Sequence, residues 1–324
     1  MIRNQWYAVL DSNEVQPGQL IGVTRMGERL VFWRDSAGRL SCLRDQCVHR
    51  GAALSAGKVR NDHIACPFHG LEYDVSGRCV VIPANGRNAP APEQFRVAGY
   101  PTQEAHGFIY LWWGEARADL PAVPFFEDID DAFSYGTAHD PWATHYSRAI
   151  ENQLDPVHVP FVHYNTIGRG NRTVVDGPTA TLTGDTLVLG IHNHVDDGSR
   201  ALTAEELAAR PGLFKLEFRF PNLWQNHIAE ALRIVVAFVP VDETHCLLYL
   251  RYYQKFMRLP GLRGLVNALG VAGSLVVAHQ DRRVVETQRP PRSELKMGEK
   301  LFPGDRPIVA YRRRRQELLD AAGQ

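Results

Sequence analysis

The sequence predicts an α+β protein built from two domains, and three observations carry that reading. Residues from Trp6 to Trp113 read as short strands separated by turn signals. A link with Pro121 and Pro124 among acidic and aromatic residues then interrupts the pattern. The remainder opens with a helical segment around 143–163, runs through long, antiparallel-looking strands and ends in helices, without regular strand–helix alternation. A chain of 324 residues suits two domains at about 100–200 residues each. The expected division is 1–115 and 116–324.

The elements follow in order. Gly27-Glu28 turns the chain into LVFWRD, Ser36-Ala37-Gly38 separates LVFWRD from LSCLRD, and Ser76-Gly77 precedes RCVVIP. FIYLWWG at 108–114 reads as a closing strand. In the second half TVVDG, TATLTG, TLVLGIHNHV, LFKLEFRFP, ALRIVVAFVPV and HCLLYLRYYQKFM read as strands. Thr203 with Glu206 three residues later fits a capping box opening a short helix. Leu265–Ala278 is the longest apolar stretch, 14 residues broken by Asn267, Gly270, Gly273 and Ser274. It is expected as a buried helix, not a membrane span. A basic helix closes the chain, and its Arg312–Arg315 run is expected on a solvated face.

Composition narrows the function. Lys plus Arg and Asp plus Glu number 36 each, so the net charge is zero and nothing implies nucleic acid or an anionic membrane as partner. Hydrophobic content is 44%, ordinary for a globular protein. Five cysteines do not make a disulfide framework. Cys42, Cys79 and Cys246 are expected as free thiols of a reducing compartment. MIRNQWYAVL has no apolar run of signal-peptide length, and a cytoplasmic location is expected.

Two short segments carry the chemistry. Cys47-Val48-His49 and Cys66-Pro67-Phe68-His69 are separated by sixteen residues, and each supplies one thiolate and one imidazole. Such donors suit iron–sulfur and zinc sites. A Cys2His2 zinc finger usually pairs like with like along the chain, whereas two mixed segments suit two loops closing over one two-iron cluster. A zinc ribbon is the alternative. Residues 42–80 resemble the Rieske domain of the Rieske non-heme iron oxygenases. The resemblance implies a [2Fe–2S] cluster held by Cys47, His49, Cys66 and His69. Gly51 and Gly70 stand close behind the histidines, where a tight turn is cheap for glycine. High-potential relatives carry an extra cysteine in each loop. Here Ala52 and Phe68 occupy those places, so the potential is expected in the lower part of the range of roughly −150 to +300 mV.

The second constellation is Asn152, Asp155, His158 and His163. Histidines at i and i+5 stand about 140° apart on an ideal helix and do not share a face. Pro156 and Pro160 break that helix. The same oxygenase family has the pattern N-x-x-D-x-x-H-x-x-x-x-H. The resemblance implies that His158 and His163 bind a mononuclear Fe(II) with a late carboxylate, a 2-His-1-carboxylate triad. Asp281 in Gln280-Asp281 is the candidate. Glu286 is its rival, and a surface pairing of Asp281 with Arg282 or Arg283 is the other reading. The resemblance gives Asn152 and Asp155 places in the catalytic machinery. It makes Asp155 a bridge for electrons from a neighbouring subunit's Rieske histidine, in a head-to-tail homotrimer.

Other residues carry less. His192 and His194 share a strand face, but no carboxylate in the sequence goes with them. His63, His106, His139, His145, His227, His245 and His279 read as structural or surface histidines. Phe161, Trp224, Asn226 and His227 are candidates for a substrate pocket, and ordinary core packing is the other reading of the aromatics. The family reading implies a helix-grip or START-like second domain, an antiparallel sheet flanked by helices. It implies an oxygenase component that uses O2, with electrons from NAD(P)H through a flavin/iron–sulfur reductase or ferredoxin, to hydroxylate or O- or N-demethylate a small aromatic substrate. Ring dihydroxylation, a Rieske electron carrier with a non-catalytic second site, and a non-redox zinc protein are the alternatives.

Overall fold

The computed structural model describes residues 1–324 as two compact units, Met1 with Arg3–Val123 and Ile2 with Pro124–Gln324. The change of unit falls beside Pro124, a few residues beyond the expected 115/116 join.

The first unit is three small antiparallel sheets. One orders Leu20–Arg25, Glu28–Arg34, Leu40–Arg44 and Gly99–Tyr100. A second places Phe108–Trp113 between Gln5–Asp11 and Thr102–Ala105. The third orders Lys58–Arg60, His63–Ala65, Glu72–Tyr73 and Cys79–Val81. The first hairpin turns on Met26-Gly27, both at positive φ (52° and 80°), which suits the twist of the strands it joins. Asp35 and Asp74 clamp the next two turns. Asp35 Oδ1 accepts from Ala37 and Arg39 N at 3.0 and 2.8 Å, and Asp74 Oδ1 accepts from Ser76 and Arg78 N at 2.9 and 3.1 Å. Val31, Trp33, Leu43, Leu54, Ile64, Leu71 and Tyr73 form one core with Cys47 and Cys66.

The second unit is one seven-stranded antiparallel sheet with helices. Its strands are β1 (Ser134–Trp142), β2 (Val174–Thr183), β3 (Thr186–His194), β4 (Phe214–Arg219), β5 (Leu223–Ala229), β6 (Leu232–Pro240) and β7 (Cys246–Gln254). They lie in the order β1-β7-β6-β5-β4-β3-β2. Helices are α1 (Tyr146–Gln153), α2 (Val159–Val162), α3 (Ala204–Ala208), α4 (Leu262–Val285) and α5 (Arg306–Ala321). The expected capping box is present at α3, with Thr203 Oγ1 and Glu206 exchanging bonds. The 143–163 segment breaks at Asp155-Pro156, so α1 and α2 are separate.

Two expectations are corrected. First, α4 is not a buried helix. Leu262, Leu265, Leu269 and Val276 are 48%, 56%, 64% and 55% exposed. The side toward the sheet is made of small or polar residues, so the large ones point outward. A Cβ on Gly136 of β1 would sit 3.0 Å from Val271 Cγ2, and Asn267 Oδ1 accepts from Gln254 Nε2 at 3.0 Å. By length and composition alone, α4 is long and apolar enough to cross a membrane. Its Asn267 and Asp281 are nevertheless buried against the domain. Second, the Arg312–Arg315 run is not a solvated face. Arg312 and Arg315 are buried. Arg312 bonds Glu151 of α1 at 2.5 Å and Glu299 at 2.7 Å. Arg148 bonds the same two carboxylates at 2.9 and 2.8 Å. The four side chains close a ring of charge that ties α5 to α1.

Removing one member leaves its partners as buried, underneutralised charge, which typically costs about 3–5 kcal/mol. Arg312→Met is therefore expected to lower stability by that amount in urea unfolding. Arg313→Ala, on the exposed side of the same helix, is expected to change it by less than about 0.5 kcal/mol.

Candidate metal centres

The two Cys–His segments are loops of one backbone design. Cys47 N donates to Ala52 O at 2.8 Å and Gly51 N donates to Cys47 O at 2.9 Å. Cys66 N donates to Leu71 O at 2.8 Å and Gly70 N donates to Cys66 O at 3.0 Å. Gly51 and Gly70 stand at φ 75° and 73°, the left-handed region that glycine enters without penalty. Asp45 closes the first loop by accepting from Ser55 N at 2.7 Å and Ser55 Oγ at 2.6 Å. The loops set the cysteines inward and the histidines outward. Cys47 and Cys66 are 2% and 3% exposed, whereas the His49 and His69 rings meet at the surface with centroids 4.6 Å apart. Burial pushes the Cys66 thiol up, so a cation there is what would hold it as thiolate. Cys66 is also reached by the Phe68 and His69 backbone N–H groups, and Cys47 Sγ lies 3.1 Å from the Tyr73 hydroxyl. All five cysteines are unpaired. An inner thiolate pair and an outer imidazole pair fit a Rieske cluster, whose two irons differ in ligation.

The second centre lies where α1, α2 and α4 meet. Ligand atoms of His158, His163 and Asp281 all lie within 4.8 Å of one another. Asp281 Oδ1 stands 3.3 Å from His158 Nε2 and 2.9 Å from His163 Nε2. The atoms facing away are held separately. Gln153 Nε2 donates to Asp281 Oδ2 at 3.1 Å. His163 Nδ1 donates to Gln280 Oε1 at 2.8 Å, and Gln280 is fixed by Thr166 Oγ1 and Asn165 Oδ1, both at 2.7 Å. That bond puts the proton of His163 on Nδ1 and leaves the inward Nε2 lone pair for a metal. Glu286 is turned elsewhere, accepting from Ala143 N at 2.8 Å, and Arg282 pairs with Asp140 at 2.6 Å.

The electrostatics favour a cation. Burial works against a charged His158, yet the Asp155 and Asp281 carboxylates outweigh it and lift the imidazole to about 9. Burial would raise Asp281, but His158 and His163 hold it well below the usual carboxylate range. Asp281 Oδ1 is buried without a hydrogen-bond partner in the chain. Two imidazole nitrogens and one carboxylate oxygen are the donor set of a facial triad.

Asp155 stands beside this centre. Its Oδ2 is 3.7 Å from His158 Nδ1, beyond hydrogen-bond length, while Oδ1 accepts from Val157 N at 2.7 Å. Asn152 lies in the last turn of α1 with its Nδ2 buried and unpaired. Gln153 and Thr166 are not singled out by the sequence, which names Gln280 only as the neighbour of Asp281. Their only signal was adjacency to the motif residues.

A cavity of about 810 Å³ opens beside the triad and is lined largely by apolar side chains of β4 to β7 and the inner face of α4. Trp224 and Asn226 line it. His227 does not: strand alternation turns it to the opposite face of β5, 3.5 Å from Asp128 and 3.9 Å from Glu217. Phe161 is 61% exposed on α2 and is absent from the lining. His192 and His194 do have a carboxylate. Asp176, on the neighbouring strand β2, lies 2.8 and 3.5 Å from them.

Comparison with known proteins agrees with this architecture. Residues 5–101 match the Rieske [2Fe-2S] domain. Residues 142–321, more than half of the chain, match the vanillate O-demethylase oxygenase C-terminal domain. The chain belongs to the vanillate O-demethylase oxygenase family. Among relatives of this family member, chlorophyllide a oxygenase of Chlamydomonas reinhardtii is 36% identical over 52% of the chain and 26% of the relative. The vanillate O-demethylase oxygenase subunit of Pseudomonas sp. (strain ATCC 19151) is 35% identical over 50% and 49%. The dicamba O-demethylase oxygenase component of Stenotrophomonas maltophilia is 34% identical over 50% and 48%. The matched region thus spans a quarter to about half the length of these curated relatives. Two solved structures share the fold: NdmA of Pseudomonas putida CBB5 with caffeine (TM-score 0.80, 22% identity, 98% of this chain and 91% of that one) and dicamba monooxygenase bound to dicamba (TM-score 0.73, 22%, 99% and 98%).

Partners that orient a ligand typically carry 10–100-fold of metal affinity. Gln153→Leu frees Asp281 Oδ2 and is expected to weaken Fe(II) retention in that range. Chelator competition against the unaltered protein measures it.

Proposed function

We propose that the chain is the oxygenase component of a multicomponent system. It takes electrons that originate in NAD(P)H from a separate flavin/iron–sulfur reductase or ferredoxin. With O2 it hydroxylates, or O- or N-demethylates, a small aromatic substrate. The observation that carries this reading is the convergence of His158 Nε2, His163 Nε2 and Asp281 Oδ1 at the side of a large apolar cavity. Relatives bearing demethylase and monooxygenase names favour it over ring dihydroxylation.

Cys47, His49, Cys66 and His69 would hold a [2Fe–2S] cluster, and His158, His163 and Asp281 a mononuclear Fe(II). When bound, these groups supply one-electron storage and O2 activation. The chain's own residues set the conditions. Gln153 and Gln280 fix the ligating atoms before substrate arrives. The apolar wall seats a ring and keeps water from the reacting carbon. Hydroxylating an O- or N-methyl carbon leaves a hemiacetal or hemiaminal that releases formaldehyde.

A head-to-tail homotrimer completes the reading. The cluster loops expose Val48 and Phe68 beside the two histidines, and the second unit exposes Phe161, Tyr164 and Ile167 beside Asp155. Two unlike apolar patches on one chain suit a heterologous contact that closes into a ring. In that ring Asp155 would link the partner's cluster histidine to His158. Five unpaired cysteines suit a cytoplasmic setting.

The test is reductase-driven O2 uptake with formaldehyde trapping over a panel of methoxy- and N-methyl-aromatics. Substrate-dependent uptake matched by formaldehyde is expected; uptake with no organic product, or diol product alone, contradicts the reading. Asp155→Asn is expected to keep both metal centres while product formation falls by at least the ~10–100-fold of an orienting contact. Mixing Asp155→Asn with His69→Ala chains is expected to restore part of the turnover. A mixture that stays inactive although subunits exchange would contradict transfer between chains.

A further inference from the structure

The cavity floor carries hydrogen-bonding groups that the triad does not use. Opposed residues in antiparallel strands share a face, and the pairings Leu216↔Asn226, Asn226↔Ile234 and Ile234↔Tyr252 form one row across β4, β5, β6 and β7. All four residues line the cavity. Asn226 and Tyr252 are two strand spacings apart in this row, about 10 Å, with Ile234 between them. Within the chain the Tyr252 hydroxyl has no hydrogen-bond partner, and Asn226 Oδ1 is buried without one. The rest of the β4, β6 and β7 lining is aliphatic or aromatic, with Phe214, Leu216, Val236, Leu248 and Leu250, while other hydrogen-bonding groups stand outside this row: Trp224, whose Nε1 is buried without a partner, two residues along β5, and His192 and Asn193 on β3.

Tyr252 is held by a specific contact. A Cβ on Gly270 of α4 would lie 2.5 Å from its ring carbons Cδ1, Cε1 and Cζ. The ring therefore lies flat on the helix backbone, and only glycine at 270 leaves it that place. Gly264 on the same helix has nothing within 4 Å of its would-be Cβ, so close packing is not a general demand of α4 glycines. The only cationic side chains of the lining outside the triad's neighbourhood are Arg169 and Arg172, both on the exposed loop after α2.

We infer that Asn226 and Tyr252 form a pair of specificity-determining groups that select an uncharged planar ring bearing hydrogen-bonding substituents at opposite ends, laid across Ile234. The inference rests on the reading of the cavity as the substrate site and names the substrate class it takes. Gly270 is the positioning residue, acting through Tyr252.

Binding to the metal-loaded protein is measured by calorimetry without reductant, so the result does not depend on turnover. The probes are 4-hydroxy-3-methoxybenzyl alcohol, polar at both ends, and 1,2-dimethoxy-4-methylbenzene, capped at both. The unaltered protein is expected to bind the first at least about tenfold more tightly, the difference of one or two net hydrogen bonds. Tyr252→Phe, Asn226→Leu and Gly270→Ala are each expected to cut that ratio several-fold, and Gly264→Ala to keep it. A ratio unchanged in Tyr252→Phe and Asn226→Leu overturns the inference, as does failure of both probes to bind. A protein that shows the ratio but consumes no O2 with any substrate would sink the oxygenase reading and leave this one standing.

Discussion

One buried carboxylate organises the second domain. Asp281 sits near the end of a long apolar helix and is 2% exposed. A lone carboxylate at that depth is strongly unfavourable. Its neutralisation falls to two imidazoles and one amide, and all three come from the segment 153–163. That demand explains the shape of the segment. Pro156 ends the first helix, the chain turns at Asp155, and α2 brings His163 round to the face that His158 already presents. The arginine–glutamate ring then fixes α1 from its other side, so the ligating atoms are positioned through two layers of charge. A divalent metal would satisfy the same carboxylate more completely than a protonated His158 does.

The cavity follows from the same helix. α4 turns small residues toward the sheet, and the volume they leave is the space beside the triad. Glycine does two jobs there. Gly136 lets the helix approach β1, and Gly270 admits the Tyr252 ring. A larger residue at Gly136 would press on the α4 backbone at Asn267, and one at Gly270 would displace the Tyr252 ring. The helix thus sets the placement of Asp281 in the triad and the cavity width together.

The parts of this structure legible in sequence are those where chemistry is local. The C-x-H and C-x-x-H loops, the Asn152–His163 segment and Gln280-Asp281 each read directly, as did the Thr203 capping box. The missed parts depend on distant partners. Ser134–Trp142 contains Gly136 and Pro141 and does not look like a strand, yet as the sheet edge it tolerates both. Leu223–Ala229 follows Pro221-Asn222 and was not recognised, so His227 could not be assigned to the face away from Asn226. Arg312 looked solvated because Glu151 and Glu299 are remote or unremarkable in sequence, and Arg315 because it donates to the backbone carbonyl of Ser293, on another segment. Asp176 was not linked to His192 because only strand pairing brings it there. The outward apolar face of α4 was likewise hidden, since composition tells that a helix is apolar but not which side is covered.

The central claim is that the chain holds two separable metal centres, one in each unit. Counting iron and acid-labile sulfide on purified protein, with and without His163→Ala, tests it most directly. The expected result is about three irons and about two sulfides per chain, from one two-iron cluster plus one Fe(II). His163→Ala should lose about one iron while the visible Rieske spectrum stays unchanged. Loss of the spectrum together with the iron, or a count of about two irons that His163→Ala does not alter, would contradict it.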